Sequence, residues 1–316
     1  MKRKVVIAGA GAVGATFAYA LARDGSADEI VLNDAQRERA EGQALDLAHG
    51  LPFMPPVTIR DGSARDYSDA QIIVITAGGR QKAGQSRLDL LQKNSDIIRS
   101  IVDEITAAGS KAVLVVVTNP VDVLTRVALE RTGWDRKRIM GSGTVLDTAR
   151  FRYLIGHHCG VDTRNVHAYI LGEHGDSEFA AWSRTHIGGV VMDKYCVMCG
   201  KCADWRRTRE GIAGKVRESA YHIIDYKGAT SYAIGLALVR IVNAILRNEH
   251  SVLTVSVRLQ GEFGLKDVCL GVPCILSGDG VEAIMGGELS GDEQEHLNRS
   301  AGVLQKAWGD LQSGSK

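Results

Sequence analysis

Three groups of residues in this 316-residue sequence have types and spacings that could do chemistry together. The stretch GEHGD at positions 172–176 sets His174 between glycines and beside two acids. Histidine titrates near neutral pH, so it suits proton exchange in an alcohol–ketone reaction. The stretch VLDTAR at positions 145–150 supplies Asp147 and Arg150 three residues apart, on one face of a helix. A buried carboxylate can orient an imidazole and raise its pKa, while the planar guanidinium fork matches a substrate carboxylate. Taken singly, these residues also read as a structural histidine and a surface ion pair.

The third group is GAGAVG, with Gly9, Gly11 and Gly14 in G-x-G-x-x-G spacing and Asp34 following 20 residues after Gly14. The motif alone is weak, but here it follows a strand-like run and opens a helix-like one, the context of a dinucleotide fingerprint. Gly9 permits the tight turn, Gly11 lets the backbone approach a pyrophosphate, and Gly14 allows close helix–sheet packing. Asp34 suits a ribose 2′-hydroxyl and repels a 2′-phosphate, which selects NAD over NADP. Two further stretches follow apolar runs of strand length: GGRQKAGQSRLDL at 78–90, and TNPVD at 118–122, in which Asn119 can bond a ligand. The first of these could equally be a solvated loop.

These residues need a scaffold, and the pattern supplies one. Val5–Ala8, Ile30–Leu32, Ile72–Thr76 and Val113–Val117 are short apolar runs that suit parallel strands covered on both faces. Helix-length segments, Ala12–Arg23 and Asp89–Ala108, lie between them and end at Gly25 and Gly109. Alternation at this spacing predicts a doubly wound α/β sheet. A strand-like Arg138–Met140 leads into the turn GSGT. Beyond it the pattern changes. Leu146–Cys159, Glu210–Tyr226 and Ser231–Asn248 read as helices, Val252–Leu259 with Val268–Leu276 as an antiparallel pair, and Ser290–Leu311 as an amphipathic helix. The fold class expected is α/β, a Rossmann-type doubly wound parallel sheet plus an α+β domain. The division expected is residues 1–143 for nucleotide binding and 144–316 for substrate binding and catalysis.

Composition excludes several classes. Thirty-eight Lys plus Arg against 37 Asp plus Glu give a net charge of +1, which disfavours a polybasic nucleic-acid or membrane-surface protein. Hydrophobic residues at 45% and charged residues at 24% fit an ordinary globular chain. No apolar run approaches the roughly 18 residues that span a membrane, and the basic start reads as a strand and turn, not a signal peptide. Six cysteines are too few for a disulfide scaffold. A cytoplasmic protein with reduced thiols is expected. Cys196, Cys199 and Cys202 do make C-x2-C-x2-C, a spacing that suggests zinc or an iron–sulfur cluster. No fourth ligand is evident nearby, and Cys159, Cys269 and Cys274 lie in apolar runs that read as core, so no metal is expected.

In this order GAGAVG, AGGRQKAGQSRLDL, TNPVD, GSGTVLDTARFR, GEHGDSE and KGATSYAIG closely resemble the L-lactate dehydrogenase/malate dehydrogenase family, in its bacterial form and almost from end to end. The resemblance implies that His174 is the general acid/base, Asp147 its carboxylate partner and Arg150 the ligand of the substrate carboxylate. It implies that Arg87, on a closing loop, polarises the reacting carbonyl and that Asn119 helps hold substrate and nicotinamide. Further cofactor contacts are implied at Val13, Arg39, Tyr67, Gly78, Gly79, Ser100 and Ser142.

The expected reaction is hydride transfer between NADH and pyruvate, giving L-lactate. Malate dehydrogenases resemble this loop but carry arginine where Gln81 stands, to pair with the second carboxylate of oxaloacetate; unpaired, that carboxylate would be desolvated at a cost of several kcal/mol. Leu88 and Thr230 agree with the lactate pattern. Malate or another 2-hydroxy acid is the alternative substrate, and a non-catalytic NAD-binding protein the alternative class. Arg152 and His167 match positions that bind fructose 1,6-bisphosphate in allosteric bacterial members, and a histidine there would add pH dependence. A homotetramer is expected by the same resemblance. The departures are modest: Ala83 and Gln85 in the closing loop, and Asn33 beside Asp34.

Overall fold

The two-sided apolar runs form the middle of one large sheet. The structure, a computed structural model, describes residues 2–79, 87–202 and 204–314, and of Arg87 the backbone alone. Six parallel strands come first: β1 (Lys4–Ala8), β2 (Glu29–Asn33), β3 (Thr58–Asp61), β4 (Ile72–Ile75), β5 (Val113–Val116) and β6 (Ile139–Gly141). They lie side by side in the order β3-β2-β1-β4-β5-β6. Every residue of β1, β4 and β5 is buried, as a strand covered on both faces requires. Helices α1 (Ala12–Asp24), α2 (Arg37–His49), α3 (Arg87–Ala107) and α4 (Val121–Thr132) run between them.

The sequence reading omits β3. Its TIRD sequence buries only Ile59, because it sits at the sheet edge, so no apolar run announces it. The stretch that begins at Gly78 therefore follows the fourth strand in chain order.

After β6 the chain enters α5 (Val145–Cys159), then five two-residue strands: β7 (Val166–His167), β8 (Ile170–Leu171), β9 (Phe179–Ala180), β10 (His186–Ile187) and β11 (Val190–Val191). Helices α6 (Met192–Cys199), α7 (Trp205–Lys227) and α8 (Tyr232–Leu246) follow. Helix α7 starts five residues before the expected Glu210, where the Asp204 side chain accepts from the Arg207 N–H and caps it. The long strands β12 (Ser251–Gln260) and β13 (Lys266–Ser277) pair antiparallel as expected, and β14 (Gly280–Ile284) adds a third strand. The chain closes with α9 (Gly291–Gly314).

The antiparallel strands extend the parallel sheet instead of standing apart from it. Ser256 of β12 pairs with Gly141 of β6, giving nine strands in one sheet. One apolar core runs under all of it, from Val5 and Ile73 to Val255 and Leu270. A second, smaller core gathers Phe151, Ile155 and Cys159 of α5 with Cys196 of α6 and Val216 of α7. Among the described residues, no helix is long and apolar enough to cross a membrane.

Candidate active site

The carboxyl ends of the parallel strands form the crevice in which doubly wound sheets hold ligands. Just past β1, Gly9 has φ 118°, and a Cβ there would lie 2.5 Å from the Ala77 nitrogen. A Cβ on Gly14 would lie 1.9 Å from the Gly9 carbonyl oxygen, so α1 reaches the sheet only without a side chain there. Above Gly11 there is open space, and no side chain caps the N-terminus of α1. Its first N–H groups face that space as an anion site.

At the end of β2 the Asp34 carboxylate accepts from the backbone N–H groups of Ala10 (2.8 Å) and Gln36 (2.9 Å), which aim it at the glycine turn. Gly9, Asp34, Tyr67 and Ser100 line one cleft of 420 Å³. Tyr67 is fully buried there, its hydroxyl accepting from Asn33 Nδ2 at 2.9 Å. This donor set fits a dinucleotide: open backbone amides for phosphates, a fixed carboxylate for a ribose and apolar walls for a base.

The remaining expected cofactor residues lie along the same strand ends. Val13 is in the first turn of α1, Arg39 is exposed on α2, Gly78 and Gly79 follow β4, Asn119 follows β5 and Ser142 follows β6. Asn94 of α3, which the sequence reading misses, ties two of these turns together. Its Oδ1 accepts from the Gly79 N–H (2.7 Å), and its Nδ2 donates to the Asn119 carbonyl (2.8 Å). Gln81, the rest of segment 80–86 and the Arg87 side chain lie outside the described residues. Thr230 lies between α7 and α8, half-buried.

The hairpin between β8 and β9 carries His174, and its loop is fixed at three points. Gly172 exchanges backbone hydrogen bonds with Gly271 of β13, the Glu173 N–H donates to Ser300 Oγ of α9 (2.6 Å), and the His174 N–H donates to Asp122 Oδ2 of α4 (2.8 Å). Helix α5 is pinned to the same hairpin. Thr144 Oγ1 donates to the Ile170 carbonyl (2.6 Å), and Thr148 Oγ1 accepts from the Ile170 N–H (2.9 Å). These two threonines flank Asp147 and set its distance from the histidine.

In that frame His174 Nδ1 lies 2.6 Å from Asp147 Oδ2, and Arg150 Nη1 donates to Asp147 Oδ1 at 2.9 Å. Asp147 is buried, whereas the His174 side chain keeps a quarter of its surface exposed. With Nδ1 engaged by the carboxylate, Nε2 is the nitrogen left to exchange a proton. The Asp147 charge, helped by its hydrogen bond, raises His174 to about 9 against the opposing effect of burial. Burial would raise Asp147, but the charges and hydrogen bonds of His174 and Arg150 outweigh it and hold the carboxyl below its usual range.

Two other buried carboxyls stand around this pair, and the sequence reading assigns neither. Asp122, inside TNPVD, is 2% exposed and is pushed up to about 6, chiefly by burial. Glu178, inside GEHGDSE, has a carboxylate oxygen within 4.8 Å of both Asp147 and His174 ligating atoms. Burial and the Asp147 charge push it up to about 9. A run of acids around a histidine was visible in sequence, but not that these two turn inward.

The chain is matched by two family descriptions: the lactate/malate dehydrogenase NAD binding domain over residues 3–141, and the lactate/malate dehydrogenase alpha/beta C-terminal domain over residues 144–312. It is 55% identical over 312 residues to an L-lactate dehydrogenase of Treponema denticola, covering 98% of each chain. It is 48% identical to an L-lactate dehydrogenase of Acetivibrio thermocellus, covering 96% of each. Among solved structures, a lactate dehydrogenase enzyme from a Medee basin deep-sea metagenome library superposes with a TM-score of 0.96 at 44% identity, over 98% of this chain and 99% of that one. The minor L-lactate dehydrogenase of Enterococcus mundtii, in its ligands-bound form, gives 0.94 at 44% identity, over 98% of each chain.

Proposed function

The chain belongs to the lactate/malate dehydrogenase family, with NAD as its cofactor, and we propose that it is an NAD-dependent L-lactate dehydrogenase in which His174 is the general acid/base. The observation that carries this reading is the hydrogen-bonded chain Arg150–Asp147–His174, tied through the His174 N–H to Asp122 just past the end of β5. A protein that only bound NAD would have no use for it.

When bound, NADH supplies the hydride to the carbonyl carbon of pyruvate. His174, protonated at neutral pH because Asp147 raises it, gives its Nε2 proton to the carbonyl oxygen. Asp147, itself buried, fixes the tautomer and stabilises the imidazolium. Arg150 spends one N–H on Asp147 and keeps the rest of its fork for the substrate carboxylate. Arg87 stabilises the developing oxyanion, a role that rests on its place before LDL in the sequence. Asn119 and Thr230 complete the substrate's surroundings. In the reverse direction neutral His174 accepts the proton of the hydroxy acid.

Gln81 selects pyruvate over oxaloacetate, because an uncharged amide leaves a second carboxylate unpaired. Residues 1–143 bind the nucleotide and 144–316 carry substrate and acid–base groups. The chain works as a cytoplasmic homotetramer. Leu236 and Tyr232 of α8, 64% and 69% exposed, give assembly apolar surface to cover. Fructose 1,6-bisphosphate activates it through Arg152 and His167. Both line a surface depression of 520 Å³ together with Arg240. The deciding experiment is NADH oxidation with pyruvate against oxaloacetate, with and without the bisphosphate. Faster turnover of oxaloacetate, or none of either, overturns the reading.

A further inference from the structure

Asn33 departs from the family pattern and has no part in the proposed reaction, yet it lines the dinucleotide cleft. It is the last residue of β2, one position before Asp34. Its backbone is held, because the Asn33 carbonyl accepts from the Gly9 N–H at 2.7 Å. Its side chain is half-buried, and Nδ2 donates to the Tyr67 hydroxyl at 2.9 Å. Asparagine is depleted in strands, and one hydrogen bond satisfies only a fraction of a carboxamide's two donors and two acceptor sites. The other four residues of β2 are buried, and an apolar side chain would finish that strand at lower cost. What the amide adds is a polar group on the wall of the cleft.

Tyr67 decides which way that amide faces. It is 1% exposed and sits in a short turn, Ala64–Tyr67, closed by reciprocal hydrogen bonds between Ser63 and Asp66. Burial, and then the Glu104 charge, hold the Tyr67 hydroxyl well above the usual phenol range, against the effect of the Asn33 hydrogen bond. The hydroxyl therefore keeps its proton. The Glu104 charge draws that proton to its own side and leaves an oxygen lone pair for Asn33 Nδ2. Oδ1 is then the open end of the amide, and among the described residues it accepts no hydrogen bond. Glu104, an exposed residue of α3, lines the same cleft, and Ala64, Ile97 and Ile101 add apolar wall. Asp34 suits the ribose, so the base carried by that ribose is the group left for these neighbours.

We propose that Asn33 is a specificity residue for the base of the cofactor: its Oδ1 and the Glu104 carboxylate accept from the exocyclic amino group of a 6-aminopurine. The inference rests on NAD as the cofactor and not on the choice of pyruvate. Two acceptors match the two donors of one amino group. A 6-oxopurine presents an oxygen at that place, so acceptor meets acceptor and polar groups lose water without gaining a partner. Shape cannot draw this distinction, because the two bases are nearly the same size and suit the same apolar walls. With an apolar residue at position 33, those walls would hold either base.

The test is calorimetry on the full chain without substrate, comparing NADH with its 6-oxo counterpart, reduced nicotinamide hypoxanthine dinucleotide. Wild type is expected to bind NADH about 10-fold more tightly or better, the worth of a hydrogen bond whose partner is otherwise left unpaired. Asn33→Val, which keeps a strand-forming residue at the end of β2, should erase most of that preference by weakening NADH alone. Glu104→Gln, at an exposed helix position, replaces an acceptor with an amide that also donates. It should tighten binding of the hypoxanthine dinucleotide, and it decides the matter if Asn33→Val fails to fold. Equal binding of the two dinucleotides by wild type overturns the proposal. So does a full preference kept by either variant. Equal weakening of both dinucleotides in Asn33→Val also overturns it, and leaves Asn33 as a support for Tyr67. A wild type that binds neither dinucleotide removes NAD as the cofactor and this proposal with it, a separate failure that an assay with pyruvate and NADH would also register.

Discussion

The backbone N–H of His174 donates to Asp122 Oδ2 at 2.8 Å, although 52 residues separate the two. Asp122 is buried in the first turn of α4, directly after the turn that follows β5. The Ser256 side chain of β12 also bears on this carboxyl, lowering it against the effect of burial. His174, the proposed acid/base, is thus held in place by a carboxyl that stands at the strand ends of the first half.

Removing that acceptor strands a buried N–H. Asp122→Ala is expected to cost about 1–3 kcal/mol of stability and to lower kcat more than it changes KM, since it loosens His174 without touching substrate. Asp122→Asn keeps an acceptor and restores most of kcat. The pH dependence has a definite sign. Because burial raises the folded-state value from 3.8 to about 6, ionising Asp122 opposes folding. Its favourable contribution is complete below the ordinary carboxylate value and is lost as pH rises through about 6. Denaturant melts across that interval should show wild type losing stability that Asp122→Asn retains. Parallel curves for the two proteins would rule this out.

The Asp147 charge sets the working range of the histidine. In the mechanism we propose, pyruvate reduction requires protonated His174, so kcat/KM should hold through neutral pH and fall as pH rises through about 9, while lactate oxidation rises over the same interval. Glu178 and Asp122 add smaller contributions of the same sign. In Asp147→Asn the inflection should move toward the ordinary histidine value, and kcat should fall by about 10²-fold or more. An inflection that stays in place shows that some other group controls the profile.

Local pattern carried much of this into view, and distance hid the rest. The glycine turn, Asp34 and the apolar strands are legible because each depends on neighbours a few residues away. His174, Asp147 and Arg150 stand out by residue type, but the 27 residues between Asp147 and His174 conceal their hydrogen bond. That bond exists because Thr144 and Thr148 pin α5 to the hairpin, a fact with no sequence signature. Strand β3 was missed because an edge strand needs only one buried side chain. Asp122 and Glu178 look like ordinary acids until the fold buries them. Cys159 read as core, and it is; what the sequence could not show is that Cys196 packs beside it.

The substrate choice we propose rests on position 81. Gln81→Arg supplies a charge for a second carboxylate and repels nothing in pyruvate, so the ratio of kcat/KM for oxaloacetate over pyruvate should rise by about 10²-fold or more. Steady-state rates with both acids measure it directly. An unchanged ratio would remove Gln81 as the determinant and with it the argument for pyruvate.

The effector assignment depends on cations that are uncomfortable together. Burial lowers the pKa of the Arg152 guanidinium, and the Arg240 charge adds to that effect, while His167 is exposed at the rim of the same 520 Å³ depression. In the proposed reading a bisphosphate would neutralise the charges that the apolar surroundings oppose. Fructose 1,6-bisphosphate is therefore expected to lower KM for pyruvate in wild type and to do so less as salt screens the contact. In His167→Gln the response should vanish while the rate without effector stays as it was, since His167 lies apart from Asp147 and His174 on β7. Titrating the bisphosphate against initial rates for both proteins gives the answer. A wild type that does not respond, or a His167→Gln variant that responds fully, removes this surface from regulation.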